Sequence, residues 1–534
     1  MKAEQLFENI GAVDDELLAR SEANAAEARR KRRFRMMRIA AAAAVIVVIA
    51  GVAVAMKTGI FRKKAPKEPI DETNLVTAGI IDLAKDETLR KYLIASRVMP
   101  VMKTAPKVED YLDSTGMLDY TAYDAACEDW KAQIKPYREK LVQYGIQKAV
   151  SGVGTFNAKA MLSLLADRNG ENRTYSPINI YMAISMLAEL TDGNTRAELL
   201  ALAGAESIED LRTRANAMWE YLYKNDDHGK MILGASVWLR DEPEEDASDK
   251  TMYNTETLKR LADNYYAASF HGVMGSEEYD NVLRKWLNTQ TGGLLKDAVD
   301  GLSFDPETVL ALATTVWFSG KWSKTFEESQ TSTGIFHATS GDVTADFMHE
   351  AVFSGNYYYG DRFVSVAKYF GEEASAGMWF ILPNEGVSVD DLLNDPEILT
   401  MLEQGETYQK RGYARIDLSV PKFDVSYSCD LRETLQGLGV KDVFDPTVSD
   451  FTPMVADNSE GYYVSKMEHD ARVRIDEDGA EAAAVTIVLA EGTSFPKDEI
   501  TFTLDRPFLF VIRQNDGIPL FVGVVENPQP ASAS

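Results

Sequence analysis

The chain predicts an α+β fold, and three observations carry that expectation. Helical and strand patterns are interleaved from Phe156 to the C-terminus without the regular strand–helix–strand repeat of a parallel sheet. A length of 534 residues, 45% of them hydrophobic, is enough for one large domain with extensions. Near the C-terminus, residues 477–494 form a small and β-branched run that no charge interrupts between Glu481 and Glu491.

The elements follow from spacing. Apolar residues at helical intervals predict helices over Asn157–Asp167, Pro177–Leu190 and Asn194–Ala203. Met231–Leu239 and Val309–Phe318 read as strands, and Val364–Tyr369 and Met378–Leu382 as shorter ones. Phe508–Arg513 and Leu520–Val525 read as buried strands. Residues 76–150 hold two or three helical patterns, the clearest from Tyr123 to Tyr144, and read as a helical spacer packed against the main domain. Residues 57–75, basic and containing Pro66 and Pro69, read as a linker.

Upstream lies an apolar run from Ile39 to Met56, about long enough for a bilayer, where ~20 residues are typical. Arg29, Arg30, Lys31, Arg32, Arg33, Arg35 and Arg38 precede it, and a sparser basic set follows. The denser cluster places residues 1–38 in the cytoplasm and the main domain outside the cell. The competing reading is a secreted protein cleaved near Ala55, because Ala53-Val54-Ala55 suits a signal peptidase. The long hydrophilic segment before the run favours an uncleaved, single-pass anchor.

Asp and Glu number 83 against 56 Lys and Arg, a net charge of -27, which argues against nucleic-acid binding. Two cysteines, Cys127 and Cys429, exclude a disulfide framework. Asp476-Glu477-Asp478-Gly479 faintly suggests a calcium loop, but that register puts Arg474 and Val485 where oxygen ligands are needed. The five histidines show no metal-ligand spacing, and there is no nucleophile elbow or phosphate-cradling glycine loop. Neither an enzyme, a metal nor a cofactor is expected.

The run at 477–494 fits two environments. As a strand, it puts Ala480, Ala482, Ala484, Thr486, Val488, Ala490 and Gly492 on one face. Glu481, Ala483, Val485, Ile487, Leu489 and Glu491 fall on the other, so both glutamates stay in water. Yet Glu491–Ser494 and Pro496-Lys497-Asp498-Glu499 continue it as an exposed loop would. Taken alone, the run reads as an ordinary buried strand.

The sequence Glu477-Asp478-Gly479-Ala480-Glu481-Ala482-Ala483-Ala484-Val485-Thr486 resembles the hinge of an inhibitory serpin, with Ala480 where Thr or Ser is usual. Four further segments resemble serpin signatures, in the family's order and spacing. They are Tyr175-Ser176-Pro177-Ile178-Asn179-Ile180 with Ala183–Leu187, Thr314–Trp322 with Phe326 and Thr331, Pro421-Lys422-Phe423, and Arg506–Arg513 with Pro519–Gly523. The resemblance is to a serpin of bacterial type with an N-terminal membrane anchor. It divides the chain into a cytoplasmic segment 1–38, a transmembrane helix 39–56, a linker and spacer 57–150, a serpin domain 151–528 and a tail 529–534.

That resemblance implies a large central β-sheet, additional sheets, surrounding helices and an exposed reactive-centre loop. It implies an inhibitor of serine proteases, acting as a monomer through a covalent acyl complex. Cleavage falls sixteen residues after Glu477, at Thr493-Ser494, and the freed loop inserts into the central sheet. A small Thr493 suits elastase-like or subtilisin-like targets. Insertion needs the hinge residues Gly479, Ala480, Glu481, Ala482, Ala483, Ala484 and Thr486. Ser176, Asn179, Thr314 and His469 match the residues that control sheet opening. Asn179 stands where a serine is usual and Thr314 where an asparagine is usual, as if amide and hydroxyl were exchanged across one network. Glu477 and Lys422 match a salt bridge near Trp322 at the upper end of the sheet. The alternative class is a non-inhibitory serpin serving as a cell-surface binding or chaperone-like module.

Overall fold

Strand pairing sorts the chain into three sheets. The computed structural model describes residues 83–98, 106, 108–113, 117–143, 145–226, 229–241, 253–291, 301–371, 376–455, 462–465, 467–480 and 498–528. The central sheet runs in the order β1 (Leu93–Ala95), β5 (Ala267–Gly272), β4 (Gly229–Arg240), β6 (Leu310–Lys321) and β14 (Gly479–Ala480), with β3 (Lys224–Asp226) hairpinned onto β4. A second sheet orders β15 (Glu499–Thr503), β11 (Arg411–Pro421), β8 (Gly341–Tyr359), β9 (Phe363–Phe370), β10 (Ala376–Pro383), β16 (Phe508–Gln514), β17 (Pro519–Val525) and β2 (Arg173–Tyr175), with β7 (Ser332–Ala338) on β8. The third is a pair, β12 (Phe423–Asp430) and β13 (Glu468–Ile475).

In chain order the longer helices are α2 (Tyr120–Gln143), α3 (Ile146–Leu165), α4 (Pro177–Leu190), α5 (Gly193–Ala203), α6 (Ile208–Leu222), α7 (Thr255–Tyr265) and α8 (Glu277–Gln290), after a single turn, α1 (Glu87–Arg90). Two of them fix the site. In α4, Ser176 caps the N-terminus by accepting from the Asn179 amide at 3.3 Å, and Pro177 fills the first turn, where no amide is needed. Every residue of α4 is buried, as expected of a helix apolar all round, and it packs between β6 and β17. In α8, Ser276 caps an acidic first turn. Tyr279, Val282, Leu283, Trp286 and Leu287 recur at helical spacing and face β4 and β6.

The predicted helices and strands are present, most with longer bounds. Strands β10 and β17 are buried along their whole length, which accounts for their unbroken apolar sequence. Helix α3 starts at Ile146, so the boundary expected at residue 150 lies inside a helix. The spacer is not purely helical: Leu93–Ala95 pairs antiparallel with β5 and becomes the outer strand of the central sheet. Three residues are too few to show a period of two, so the pattern was invisible in the sequence. Both cysteines are free. Among the described residues no helix is long and apolar enough to cross a membrane; the run 39–56 lies outside them.

Candidate functional site: the hinge and the open edge of the central sheet

Among the described residues, the outer side of β6 is paired at one end only. Its inner side pairs with β4 in an unbroken antiparallel register from Gly229↔Gly320 to Leu239↔Leu310. On its outer side, among the described residues, only Gly479↔Lys321 and Ala480↔Gly320 continue the ladder. Strand β13 comes near β6 but, among the described residues, pairs only with β12. Among the described residues, the gap in pairing between β6 and β13 therefore has its first two rungs filled at one end, by the start of the hinge.

Glycine is required at 479. Its φ is 155°, and a Cβ there would collide with the Gly320 carbonyl oxygen and with Lys321 Cα. Ala480 follows, buried on the core side. This is the face to which alternation assigns it, together with Ala482 and Ala484. Glu481, Ala482, Ala483, Ala484, Thr486, Thr493 and Ser494 lie outside the described residues.

The hinge root is pinned from several directions. The Glu477 carboxylate meets Lys422 Nζ at 2.6 Å and accepts from Thr331 Oγ1 at 2.6 Å. Burial pushes this carboxyl up, but the Thr331 and Lys422 donors more than offset that, and it titrates below the usual carboxylate range. The main chain is held as well. Phe326 N–H donates to Glu477 O at 3.0 Å and Trp322 N–H to Asp478 O at 2.9 Å. Trp322 Nε1 donates to Asp476 O at 3.0 Å. Burial pushes the Asp476 carboxyl up, against its two backbone amide donors, from Asp478 and Gly479.

Beneath this, Trp322 stacks on Phe370 at 4.4 Å and is 1% exposed. A buried ion cluster that sequence reasoning missed supports it. Lys368 meets Glu350 at 2.7 Å with both side chains under 8% exposed, and Lys324 meets the other oxygen of Glu350 at 2.6 Å. Lys368 Nζ also lies over the Phe326 ring, 4.3 Å from its centroid. Burial pulls the Lys368 ammonium below its usual range, against the pull of Glu350. Strict alternation along a strand, with a lysine on an inward position, was the available signal.

Midway along the gap, the N-terminus of α4 touches both flanking strands. Asn179 Nδ2 donates to the main-chain oxygen of Thr314 on β6 at 3.2 Å. The Ser176 amide donates to His469 Nε2 on β13 at 3.1 Å. Ser176, Asn179, Thr314 and His469 are thus brought together. The contact to Thr314 is with its carbonyl rather than its hydroxyl, so no amide-for-hydroxyl exchange is needed to explain it. Burial lowers the His469 imidazole to about 4. The neutral ring can accept the Ser176 N–H; a protonated one cannot. Widening the gap requires α4 to release one strand or move with it. No group of three or more metal-ligating side chains occurs among the described residues.

A protein-family model described as "Serpin (serine protease inhibitor)" matches residues 153–528. Rice (Oryza sativa subsp. japonica) serpin-ZXA is 31% identical over 373 residues, covering 67% of this chain and 91% of its own. Among solved structures, the thermophilic serpin tengpin in its native state superposes with a TM-score of 0.61 at 25% identity, covering 71% of this chain and 94% of that one. The Arabidopsis serpin AtSerpin1, in its native stressed conformation, gives 0.59 at 26% identity, with 72% and 98% covered. The plant relatives lend no support to a bacterial type, and the expected membrane anchor lies outside the matched residues.

Proposed function

The chain belongs to the serpin family, and from that premise we propose that it inhibits serine endopeptidases as a suicide substrate. The target's catalytic serine Oγ attacks the carbonyl carbon of Thr493. The Thr493–Ser494 C–N bond breaks, an ester joins Thr493 to the protease, and Ser494 leaves as a free amine with the proton relayed by the protease histidine. The freed segment from Ala480 onward then fills the gap between β6 and β13, carrying the acylated protease away from the loop's starting point. The small, uncharged Thr493 directs the reading to elastase-like or subtilisin-like targets.

The observation that carries this reading is the half-started strand. Gly479 and Ala480 already pair with β6 at one end of a gap with no other ladder partner among the described residues. Filling about ten further positions between two strands adds about two ladder hydrogen bonds per residue, since each N–H and each C=O gains a partner, and each bond is worth ~0.5–1.5 kcal/mol net. The uninserted state is thus held by a barrier rather than by depth. The reading extends to location, with residues 39–56 anchoring the chain and the domain facing outward.

The test is incubation with a pancreatic-type elastase, followed by denaturing electrophoresis and mass spectrometry. A covalent complex and a released peptide beginning at Ser494 are expected. Cleavage with no complex would sink the inhibitory reading and favour the non-inhibitory module. Protease added to intact cells should release the domain; release only after lysis would reverse the orientation.

A further inference from the structure

We propose that residues 83–97, outside the region shared with the family, form a strap that holds α8 against the outer edge of the central sheet and sets how fast that sheet opens. The strap grips at four places. Strand β1 pairs with the edge strand β5, Leu93↔Phe270 and Ala95↔Ser269, and the His271 amide donates to Tyr92 O at 2.9 Å. Leu83 and Leu89, 7% and 1% exposed, enter a second apolar cluster with Trp238 of β4, Phe270 of β5 and Tyr279 and Trp286 of α8. Asp86, which caps α1, meets Lys285 of α8 at 2.7 Å. Arg97 lies over the Tyr266 ring at 4.2 Å and donates to Asp263 O at 2.6 Å.

One short segment therefore ties the sheet edge, the helix across its face and the end of α7 into a unit. The Leu83–Leu89 cluster is separate from the main core, whereas Ile94 and Ala95 of the same strap pack against the main core, so the strap joins the two. On this proposal, admitting a strand between β6 and β13 slides β4, β5 and β6 together beneath α8, which lies across β4 and β6. While the strap is in place, α8 cannot shift relative to β5 without losing Leu89 from its pocket and breaking the Asp86–Lys285 pair. Packed interfaces of this kind switch between discrete arrangements rather than deforming gradually. Strand β1 also covers a sheet edge that would otherwise be open to pairing with another molecule.

The proposal rests on the central sheet accepting a strand, as set out above, but needs no target protease. The test follows uptake of a fluorescent synthetic peptide with the sequence of residues 480–490 by the full chain. Leu89→Ala should accelerate uptake about tenfold, which is about 1.4 kcal/mol of barrier. Leu392→Ala, buried in the short helix Val389–Leu392 against the second sheet, serves as the control for general destabilisation and should stay within about twofold of wild type. Lys285→Ala, which leaves the apolar cluster intact, should accelerate uptake about threefold at low salt, the difference from wild type closing at about 1 M salt. Equal acceleration by Leu89→Ala and Leu392→Ala, or none by either, overturns the strap while leaving sheet opening intact. No uptake by wild type or any variant overturns the sheet-opening reading itself, and the strap with it.

Discussion

Lys422→Met removes the ammonium that faces Glu477 while keeping most of the apolar stem. The wild-type pair is close and largely shielded, 2.6 Å apart with side chains 23% and 10% exposed. Its loss deletes one charge-assisted hydrogen bond, worth about 1.5–3 kcal/mol, and leaves the carboxylate with Thr331 and its own backbone amide. A comparison pair, Lys131–Glu128, is 3.2 Å apart with side chains 59% and 75% exposed, so Lys131→Met should cost only ~0–1 kcal/mol. In urea, monitored by tryptophan fluorescence, a loss of about 2 kcal/mol with a slope of ~2 kcal/mol/M moves the first midpoint by about 1 M for Lys422→Met. The midpoint for Lys131→Met should hardly move. The acid dependence gives a second check. Glu477 titrates below its unfolded value, so its contribution is complete above the ordinary carboxylate pKa and is lost as pH falls through the depressed one. The gap between wild type and Lys422→Met should therefore narrow as the pH falls below the ordinary carboxylate range. Equal midpoints for the two variants at neutral pH would refute the view that the hinge root is pinned by a shielded charge.

Three further outcomes are expected. Because His469 is held at about 4, below its free value of 6.5, its contribution is complete above 6.5 and falls away toward pH 4, by up to roughly 3 kcal/mol; His469→Gln should flatten that part of the urea stability profile, and an unchanged slope would remove His469 from the account. On the proposed mechanism, Ala482→Arg, assigned by alternation to the face that Ala480 buries, should turn inhibition into plain cleavage, because a charge enters an apolar layer; Glu481→Arg should do much less, and equal stoichiometries of inhibition would refute the alternation. Thr493→Arg should redirect complex formation to trypsin, with a peptide beginning at Ser494, whereas an elastase cut of wild type at Leu489 or Phe495 would shift the register.

Local signals made part of this legible. Ser176-Pro177 before an apolar run is a helix start by capping and by proline's fixed φ, and α4 begins there. The strands β10, β16 and β17 were readable because burial on both faces leaves no polar alternation to misread. What stayed hidden depends on partners far away in the chain. Nothing near Leu93 announces a strand, because its ladder comes from β5, more than 170 residues on. Asp86 and Lys285 are ordinary surface-type residues until folding brings them together. Glu350 and Lys368 contradict the usual exposure of charge, and their mutual contact, with Lys324 on the other oxygen of Glu350, makes their burial tolerable.

The ambiguity of the hinge has a different origin. The segment after Gly479 reads alone as a buried strand yet continues as an exposed loop would, because the proposed mechanism requires it to serve as both. A larger or charged inward set would specify the loop and forbid insertion; a longer apolar set would specify the strand and collapse the gap early. Small residues leave both states within reach, so the choice passes to contacts made elsewhere: Glu477 with Lys422 and Thr331 at one end, and Asn179 and His469 at the middle. Those contacts are polar and directional, each worth only about 1–3 kcal/mol. Such a lock can be opened by the energy of one added strand, whereas a close-packed apolar seam between β6 and β13 could not.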